Sequence, residues 1–120
     1  MIDVGNTAEV TLVVGDSDTA IAYASGDVRV LATPRVLALA EQAAVAALGE
    51  ELGAGQTSVG VHAELHHVKA TKVGAAVTAT AEVLAVAGRQ VTFEFRVTEG
   101  DEVAAYGTHQ RVVVGRDRFL

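Results

Sequence analysis

Hydrophobic residues recur with a helical period in one segment, residues 33–52, and with a period of two in most of the chain that follows. Thr33 is a fair N-cap and Pro34 is favoured at the first position of a helix, so we predict that a helix begins here. Gly53 is typical of the residue that follows a helix, which places the end of this one at about Leu52.

The predicted helix is apolar on nearly all sides. Between Pro34 and Gly49 its only charged residues are Arg35 and Glu41, and most of the remainder is Ala, Val and Leu. A helix of this kind is typical of a protein interior. Glu41 therefore needs an explanation, because a carboxylate that is buried without a partner destabilises the fold unless its pKa is raised.

Alternating apolar and polar residues predict five strands, four of which follow the helix. Two of the joints, Gly88-Arg89 and Gly100-Asp101, are hairpin turns, so the strands that they connect are antiparallel. A turn-rich segment at 15–27 predicts a loop with little regular structure. The predicted strands are residues 8–14, 58–68, 75–87, 90–98 and 102–114.

This order of elements predicts a single domain, residues 1–120, of the α+β class. At about 1.5 Å per residue the helix is about 30 Å long, and only a sheet that curves around it would cover it. We therefore predict the hot-dog fold, in which a curved antiparallel sheet wraps around one long buried helix.

The composition favours an oligomer and excludes several classes of function. Half of the residues are hydrophobic, and a chain of this size buries only about two thirds of its unfolded surface by itself. We therefore expect a homodimer, with a tetramer as the alternative. A net charge of −6 without a Lys/Arg cluster argues against nucleic-acid binding. Cys is absent, which excludes disulfides, thiolate metal sites and a cysteine nucleophile.

Neither a membrane segment nor a metal or cofactor is expected. The chain starts without the basic and apolar segments of a signal peptide, and its apolar runs are too interrupted to span a membrane. His62 and His66 share a strand face but lie about 13 Å apart, too far to chelate one metal. We therefore expect a cytoplasmic protein without membrane contact.

A partner for Glu41 is available in the strand after the helix. His67 shares one face of that strand with four apolar residues, and a helix would cover this face. A carboxylate and an imidazole that face each other would form an acid/base pair in which each satisfies the other's burial. The alternatives are a solvent-facing Glu41 and a core histidine without a chemical role. The four apolar residues are Val59, Val61, Ala63 and Leu65.

Two strand glycines and a His-Arg pair are further candidates for a site. His109 and Arg111 share a face of the last strand and follow Gly107. A glycine inside a strand either lets another group approach closely or marks a bulge. Gly60 has the same two interpretations, and its N–H could reach a ligand.

Four stretches within about residues 30–119 resemble the hot-dog thioesterases similar to fluoroacetyl-CoA thioesterase. The stretches are ATPRVLALAEQAA, GAGQTSVGVHAELHHVKATKVG, GRQVTFEFRV and YGTHQRVVV. The shared pattern is a Thr followed eight positions later by Glu, then a Ser-Val-Gly turn into a strand, then a His followed seven positions later by Gly. In this chain the residues are Thr33, Glu41, Gly60, His67 and Gly74.

The resemblance implies a homodimer with its active site at the subunit interface and an acyl-CoA thioester as substrate. Thr33, Glu41 and His67 match the catalytic trio of the family. Gly60 matches the backbone contact near the acyl α-carbon, and Arg111 matches the arginine of the last strand. In a regular helix Thr33 and Glu41 are about 12 Å apart along the axis. The trio therefore needs either a later helix start or a Thr33 from the partner subunit.

Two functions are compatible with these residues. In a thioester hydrolase, Glu41 would be the base or the nucleophile, and His67 would orient it or act as the base itself. Thr33 would hydrogen-bond the water or the carboxylate, and a backbone N–H would hold the oxyanion. In a non-catalytic acyl-CoA-binding or regulatory module, the cleft would remain without the chemistry.

The loop before the helix indicates which acyl groups would fit. The fluoroacetyl enzyme carries a phenylalanine lid in this loop, whereas the only aromatic residue in 15–27 is Tyr23. We therefore expect no selectivity for fluoroacetyl groups and a relaxed range from acetyl to medium-chain thioesters. Basic residues at the rim of the cleft would contact the CoA phosphates, and the candidates are Arg29, Arg35, Lys69 and Lys72.

Overall fold

The computed structural model describes residues 1–119, in which five strands form one antiparallel sheet against a single long helix. The strands run in the order β1-β3-β4-β5-β2, so β1 and β2 are the two edges. The predicted α+β hot-dog architecture is confirmed. The elements are β1 (Thr7–Val13), α1 (Thr33–Leu48), β2 (Gln56–His67), β3 (Ala76–Ala87), β4 (Gln90–Glu99), β5 (Glu102–Gly115) and the short α2 (Arg116–Phe119).

Both predicted hairpin turns are present. Ala87 pairs with Gln90 across the first and Glu99 with Glu102 across the second, which leaves two residues in each turn. The first turn residue is Gly88 in one hairpin and Gly100 in the other, and both glycines have positive φ. Glycine at this position suits the tight turns whose twist matches that of antiparallel strands.

The start of α1 differs by one residue from the prediction. Ala32 is the N-cap and Thr33 is already the first helical residue, followed by Pro34. No side chain caps this end, because the Thr33 hydroxyl bonds to another element instead. The other end is shorter than predicted, since the helix stops at Leu48 and a 3₁₀ turn occupies Gly49–Glu51.

The sheet covers α1 on one side only. The covered side packs on the inner face of the sheet, where Phe93 and Phe95 of β4 lie at the centre. The opposite side of α1 is open, and Val45 on that side is 49% exposed. The prediction of a helix buried all round is therefore wrong for one subunit, because a single sheet reaches only half of its circumference. The covered residues are Val36, Leu39, Ala40, Ala43, Ala44, Ala47 and Leu48.

A β-bulge at Val61 changes which residues of β2 point inward. Gly60 pairs with Arg111, whereas His62 pairs with Gln110, so Val61 is the extra residue. The bulge shifts the alternation by one position. The predicted shared face of Val59, Val61 and His67 is therefore wrong for the two valines, and Val61 is 56% exposed. The inward residues of β2 are Ser58, Gly60, Ala63, Leu65 and His67.

β2 is a long edge strand. It has 12 residues and pairs with β5 on one side, and no described residue pairs with its other side. Most of its residues are exposed or half-buried. An edge of this length and exposure is a ready template for pairing with another chain. No helix among residues 1–119 combines the length and apolar character needed to cross a membrane.

Candidate active site

The first cluster joins the start of α1 to the end of β2. The Thr33 Oγ1 lies 2.7 Å from the His67 Nδ1, which is a short hydrogen-bond distance. The other ring nitrogen, His67 Nε2, is buried and has no hydrogen-bond partner within residues 1–119. Burial lowers the pKa of His67, so its ring is neutral at pH 7. A neutral imidazole with one engaged and one free nitrogen is equipped to transfer a proton.

A pocket of about 380 Å³ opens beside this pair. The loop before α1 and the segment after β2 form its walls, and Thr33 and His67 contribute polar groups. Its other lining residues include no Phe, Tyr or Trp, so the absence of an aromatic lid that the sequence predicts holds for this pocket. The further lining residues are Ala20, Ser25, Gly26, Asp27, Val28, Val30, Leu31, Val68, Lys69 and Ala70.

The second cluster surrounds the carboxylate of Glu41. Its Oε2 lies 3.5 Å from the Arg111 Nη1 and 3.9 Å from the His109 Nε2. The side chains of His109 and Arg111 are 2% and 8% exposed, whereas that of Glu41 is 42% exposed. Because solvent screens a pair of this exposure and length, we assign it to orienting the carboxylate rather than to stabilising the fold.

Arg111 is held from several sides. Its Nε donates to the Ser58 Oγ at 2.9 Å and its Nη2 to the Ser58 carbonyl at 3.1 Å. A Cβ on Gly60 would lie 2.8 Å from the Glu41 Oε2 and 3.3 Å from the Arg111 Nη1. Glycine therefore creates the space in which the carboxylate and the guanidinium meet. The two interpretations of Gly60 were alternatives, and the structure shows a close approach at Gly60 together with a bulge at the next residue.

Burial shapes the titration of this second cluster. It lowers the pKa of Arg111, and the Glu41 charge opposes this effect. Burial also lowers the pKa of His109, as does the Arg111 charge, while the His62 carbonyl and Glu41 act in the opposite direction. His109 is therefore neutral at pH 7 while the guanidinium beside it stays charged.

The two clusters are separate within one subunit. No hydrogen bond or ion pair among residues 1–119 joins Glu41 to His67, so the expected pair between them is not formed inside the chain. The reason is the direction of β2, whose positions Gly60 and His67 lie about 20 Å apart along the strand. Nor does the helix start later, since Thr33 is its first residue.

Three of the four proposed phosphate contacts have other partners. Arg29 pairs with Asp16, and Arg35 with Asp18 at 2.9 Å. The Arg35–Asp18 pair is largely buried and ties the loop to α1. Lys69 Nζ lies 2.8 Å from a carboxylate oxygen of Glu99, although it also lines the pocket. Lys72 is exposed.

The outer face of β2 carries the remaining histidines. His66 Nε2 lies 3.2 Å from the Glu64 Oε1, and the His66 ring stacks on Tyr106 at 5.0 Å. Within residues 1–119 no three His, Cys, Asp or Glu residues are grouped as a metal site would require.

Ser58 and the role of His109 beside Glu41 were not predicted from the sequence. His109 and Arg111 share a parity that points both at α1, and this was a usable signal. Pairing them with Ser58 and Glu41 required the register of β2 on β5, which the bulge at Val61 displaces.

A long helix wrapped by an antiparallel sheet, with a Thr-His pair beside a pocket, defines the class as a hot-dog protein. The family described as FlK, fluoroacetyl-CoA-specific thioesterase, matches residues 14–117. The chain belongs to this family, as the resemblance predicted.

Individual relatives support the same family. The fluoroacetyl-CoA thioesterase of Streptantibioticus cattleyicolor is 34% identical over 90 residues, which are 75% of this chain and 65% of that relative's length. A crystal structure of a mutant FlK with fluoroacetate and CoA is 30% identical, with a TM-score of 0.91 over 98% of this chain and 99% of that one. A hot-dog-like protein of Thermanaerovibrio acidaminovorans is also 30% identical, with a TM-score of 0.87 over 96% of this chain and 85% of that one.

Proposed function

We propose that the protein is an acyl-CoA thioesterase whose active site joins Thr33 and His67 of one subunit to Glu41 of the other. The observation that carries the proposal is the 2.7 Å Thr33–His67 pair, with its buried and unpartnered Nε2, at the wall of the pocket. Family membership supports the substrate class, because relatives carry the name of a CoA thioesterase and one was crystallised with CoA.

A symmetric dimer supplies the missing carboxylate. Two β2 edges that pair antiparallel about a twofold axis at Glu64 place His67 opposite the bulge of the other strand, where the partner subunit's Gly60 and the partner subunit's Val61 together oppose one residue. Residues directly opposed in such a pair have Cβ atoms about 4.5–5.5 Å apart. Gly60 lies against Glu41 in its own chain, so the partner subunit's Glu41 comes within reach of His67. The same pairing covers the β2 edge and the open side of α1.

Each residue then has a distinct task in hydrolysis, which adds water across the thioester to release a carboxylic acid and the CoA thiol. Glu41, with Arg111 beside it, acts as an ionised carboxylate, either to take a proton from water or to attack the carbonyl. The proton that water gives up reaches the leaving sulfur through His67, and Thr33 holds the ring by its Nδ1. The N–H of Gly60 is available to the oxyanion.

The pocket supports a broad acyl range. Small residues and the lack of Phe, Tyr or Trp in its lining leave space beyond the reacting carbonyl. In a tightly fitted pocket one added methylene changes discrimination by about 1–3 kcal/mol, whereas in a roomy pocket the sum over the whole acyl chain stays within that range. Acetyl- to medium-chain thioesters are therefore hydrolysed within about two orders of magnitude of one another, without a preference for fluoroacetyl.

Release of CoA from a graded acyl-CoA series, followed with a thiol reagent, tests this function. Thr33→Val removes the hydroxyl while keeping the shape and should lower kcat, whereas Thr33→Ser should retain much of it. Inactivity of the unaltered protein on every acyl-CoA, with binding intact, would favour the non-catalytic module instead. A single turnover in ¹⁸O-labelled water tests the nucleophilic role of Glu41, since label enters its carboxylate only through an anhydride that water opens at the Glu41 carbonyl.

A further inference from the structure

The hydrogen bonds of His109 define one tautomer. Its Nδ1 lies 2.8 Å from the His62 carbonyl oxygen, which can only accept, so Nδ1 carries the proton. Its Nε2 lies 3.1 Å from the Arg111 Nη1, which can only donate, so Nε2 carries a lone pair. Both contacts agree on a neutral ring with hydrogen on Nδ1, and the ring is 2% exposed.

This neutral ring completes a three-sided clamp on Arg111. Ser58 takes the Nε–H and one Nη2–H, and His109 takes one Nη1–H. The guanidinium is planar and rigid, so fixing these three hydrogens determines where the remaining Nη1–H points. The structure places the Glu41 Oε2 on that side, at 3.5 Å from Nη1.

We propose that His109 is a positioning residue, whose Nε2 lone pair aims the Arg111 guanidinium at Glu41 and thereby sets the carboxylate for the reaction. The inference rests on the proposed thioesterase function. It assigns no contact with substrate to His109. A protonated His109 would lose the acceptor and place two cations at 3.1 Å from each other.

Among the described groups that surround His109, only Arg111 donates a hydrogen bond to its Nε2. Arg111 neighbours it on β5, Glu41 faces it from α1, and the His62 carbonyl contacts it from β2. Phe93 of β4 packs against the ring with centroids 6.2 Å apart and carries no charge. A ring held only for packing would not need its second nitrogen directed at a guanidinium.

Two amide substitutions separate the two hydrogen bonds of the ring. His109→Gln places its amide near the Nε2 position and can accept from Arg111, but it gives up the bond to the His62 carbonyl. His109→Asn places its amide near the Nδ1 position and can donate to the His62 carbonyl, but it cannot reach Arg111. Both variants are smaller than histidine, so each serves as the packing control for the other.

A positioning role and a purely structural role of His109 predict opposite orders of activity for the two variants. If His109 aims Arg111, His109→Asn lowers kcat about 10- to 100-fold, the scale of a misplaced catalytic group, with KM little changed, and His109→Gln restores much of the activity. If His109 only supports the fold, activity follows the melting temperature, and His109→Asn is the more active variant. That result would overturn the proposal.

A spectroscopic measurement tests the tautomer without reference to activity. In ¹⁵N-labelled protein, the ring of His109 should show a protonated Nδ1 and a lone-pair Nε2 from pH 7 to below pH 6.5. A proton on Nε2 at pH 7 would refute the clamp even if the protein were a thioesterase. If the tautomer is found but the protein hydrolyses no thioester, the proposed function fails and the positioning role fails with it.

Discussion

At the scale of single residues, the proposed chemistry centres on two pairs of polar groups, Glu41 with Arg111 and His67 with Thr33. Glu41 meets Arg111 beside Gly60, where no side chain intervenes. His67 meets Thr33 and leaves its other nitrogen free. Each ionisable group thus has one fixed partner and one open position, and the open position is where a substrate or a second subunit would act.

Removing the charge of Glu41 tests its role directly. Glu41→Gln keeps the shape of the side chain and removes the carboxylate, so we expect kcat to fall by at least about 10²-fold, the scale for a general base. Glu50→Gln, on the exposed turn after α1, is the matched control and should retain full activity. Near-normal turnover by Glu41→Gln, with the dimer mass unchanged, would remove Glu41 from the reaction.

The two buried histidines predict a dependence of stability on pH. Burial lowers the pKa of both His67 and His109 below 6.5. Below pH 6.5 the unfolded chain therefore binds protons that the folded chain does not, and the free energy of unfolding decreases. The decrease continues until the pH reaches the lowered pKa values of the folded state. The stabilisation that the two neutral rings contribute is fully present above about pH 7.

Urea unfolding at several pH values, from about one pH unit above the ordinary histidine pKa to about one and a half units below it, measures this effect. His109→Gln should show a smaller loss of stability over the same range, because one of the two titrating rings is gone. An unchanged pH dependence in that variant would show that His109 titrates normally in the folded protein.

At the scale of elements, β2 and β5 approach each other unusually closely at one point. A Cβ at Gly107 would overlap the Glu64 carbonyl and lie 2.9 Å from the Phe95 ring. The glycine therefore lets the β2 backbone approach β5 closely. The register of this strand pair brings Ser58 and Gly60 to Arg111. The predicted close approach at Gly107 is confirmed.

Two alanine substitutions on β5 test this close approach. Gly107→Ala should lower the free energy of unfolding by about 1–3 kcal/mol, the range for overpacking, because backbone cannot move aside cheaply. A Cβ at Gly115 would meet no atom within 4 Å, so Gly115→Ala should leave stability nearly unchanged. Equal effects in urea unfolding would show that crowding at Glu64 is not the cause.

At the scale of the whole molecule, one chain leaves apolar surface that a second copy would cover. Val61 on the open edge of β2 and Val45 on the open side of α1 are 56% and 49% exposed. We therefore expect a homodimer whose interface completes two equivalent sites.

Two experiments test this assembly. One measures the mass in solution, and the other introduces a charged residue on the β2 edge. Light scattering at micromolar concentration should give the mass of a dimer. Val61→Lys should weaken the dimer and lower activity together, since a charged lysine on an edge strand opposes pairing. Val86→Lys, near the β3–β4 turn, is the control and should change neither. A monomeric unaltered protein that still hydrolyses thioesters would contradict the shared site.

Local patterns in the sequence determined the elements and their order. The helix, the strands and both glycine turns depend on propensities and on contacts between near neighbours, which the chain displays directly. Spacing and the family resemblance selected the candidate site residues, which are Thr33, Glu41, Gly60, His67 and Arg111. The wrapped sheet followed because a single long apolar helix has few other ways to be covered.

The tertiary structure alone decided which of these residues meet. Gly60 allows a bulge without requiring one, yet the bulge at Val61 moves every residue before it to the other face of β2. Glu41 therefore faces Arg111 and not His67, and Thr33 bonds to His67 rather than capping its helix. Such pairings depend on the register and packing of elements far apart in the chain, and a period read along one segment does not contain that information.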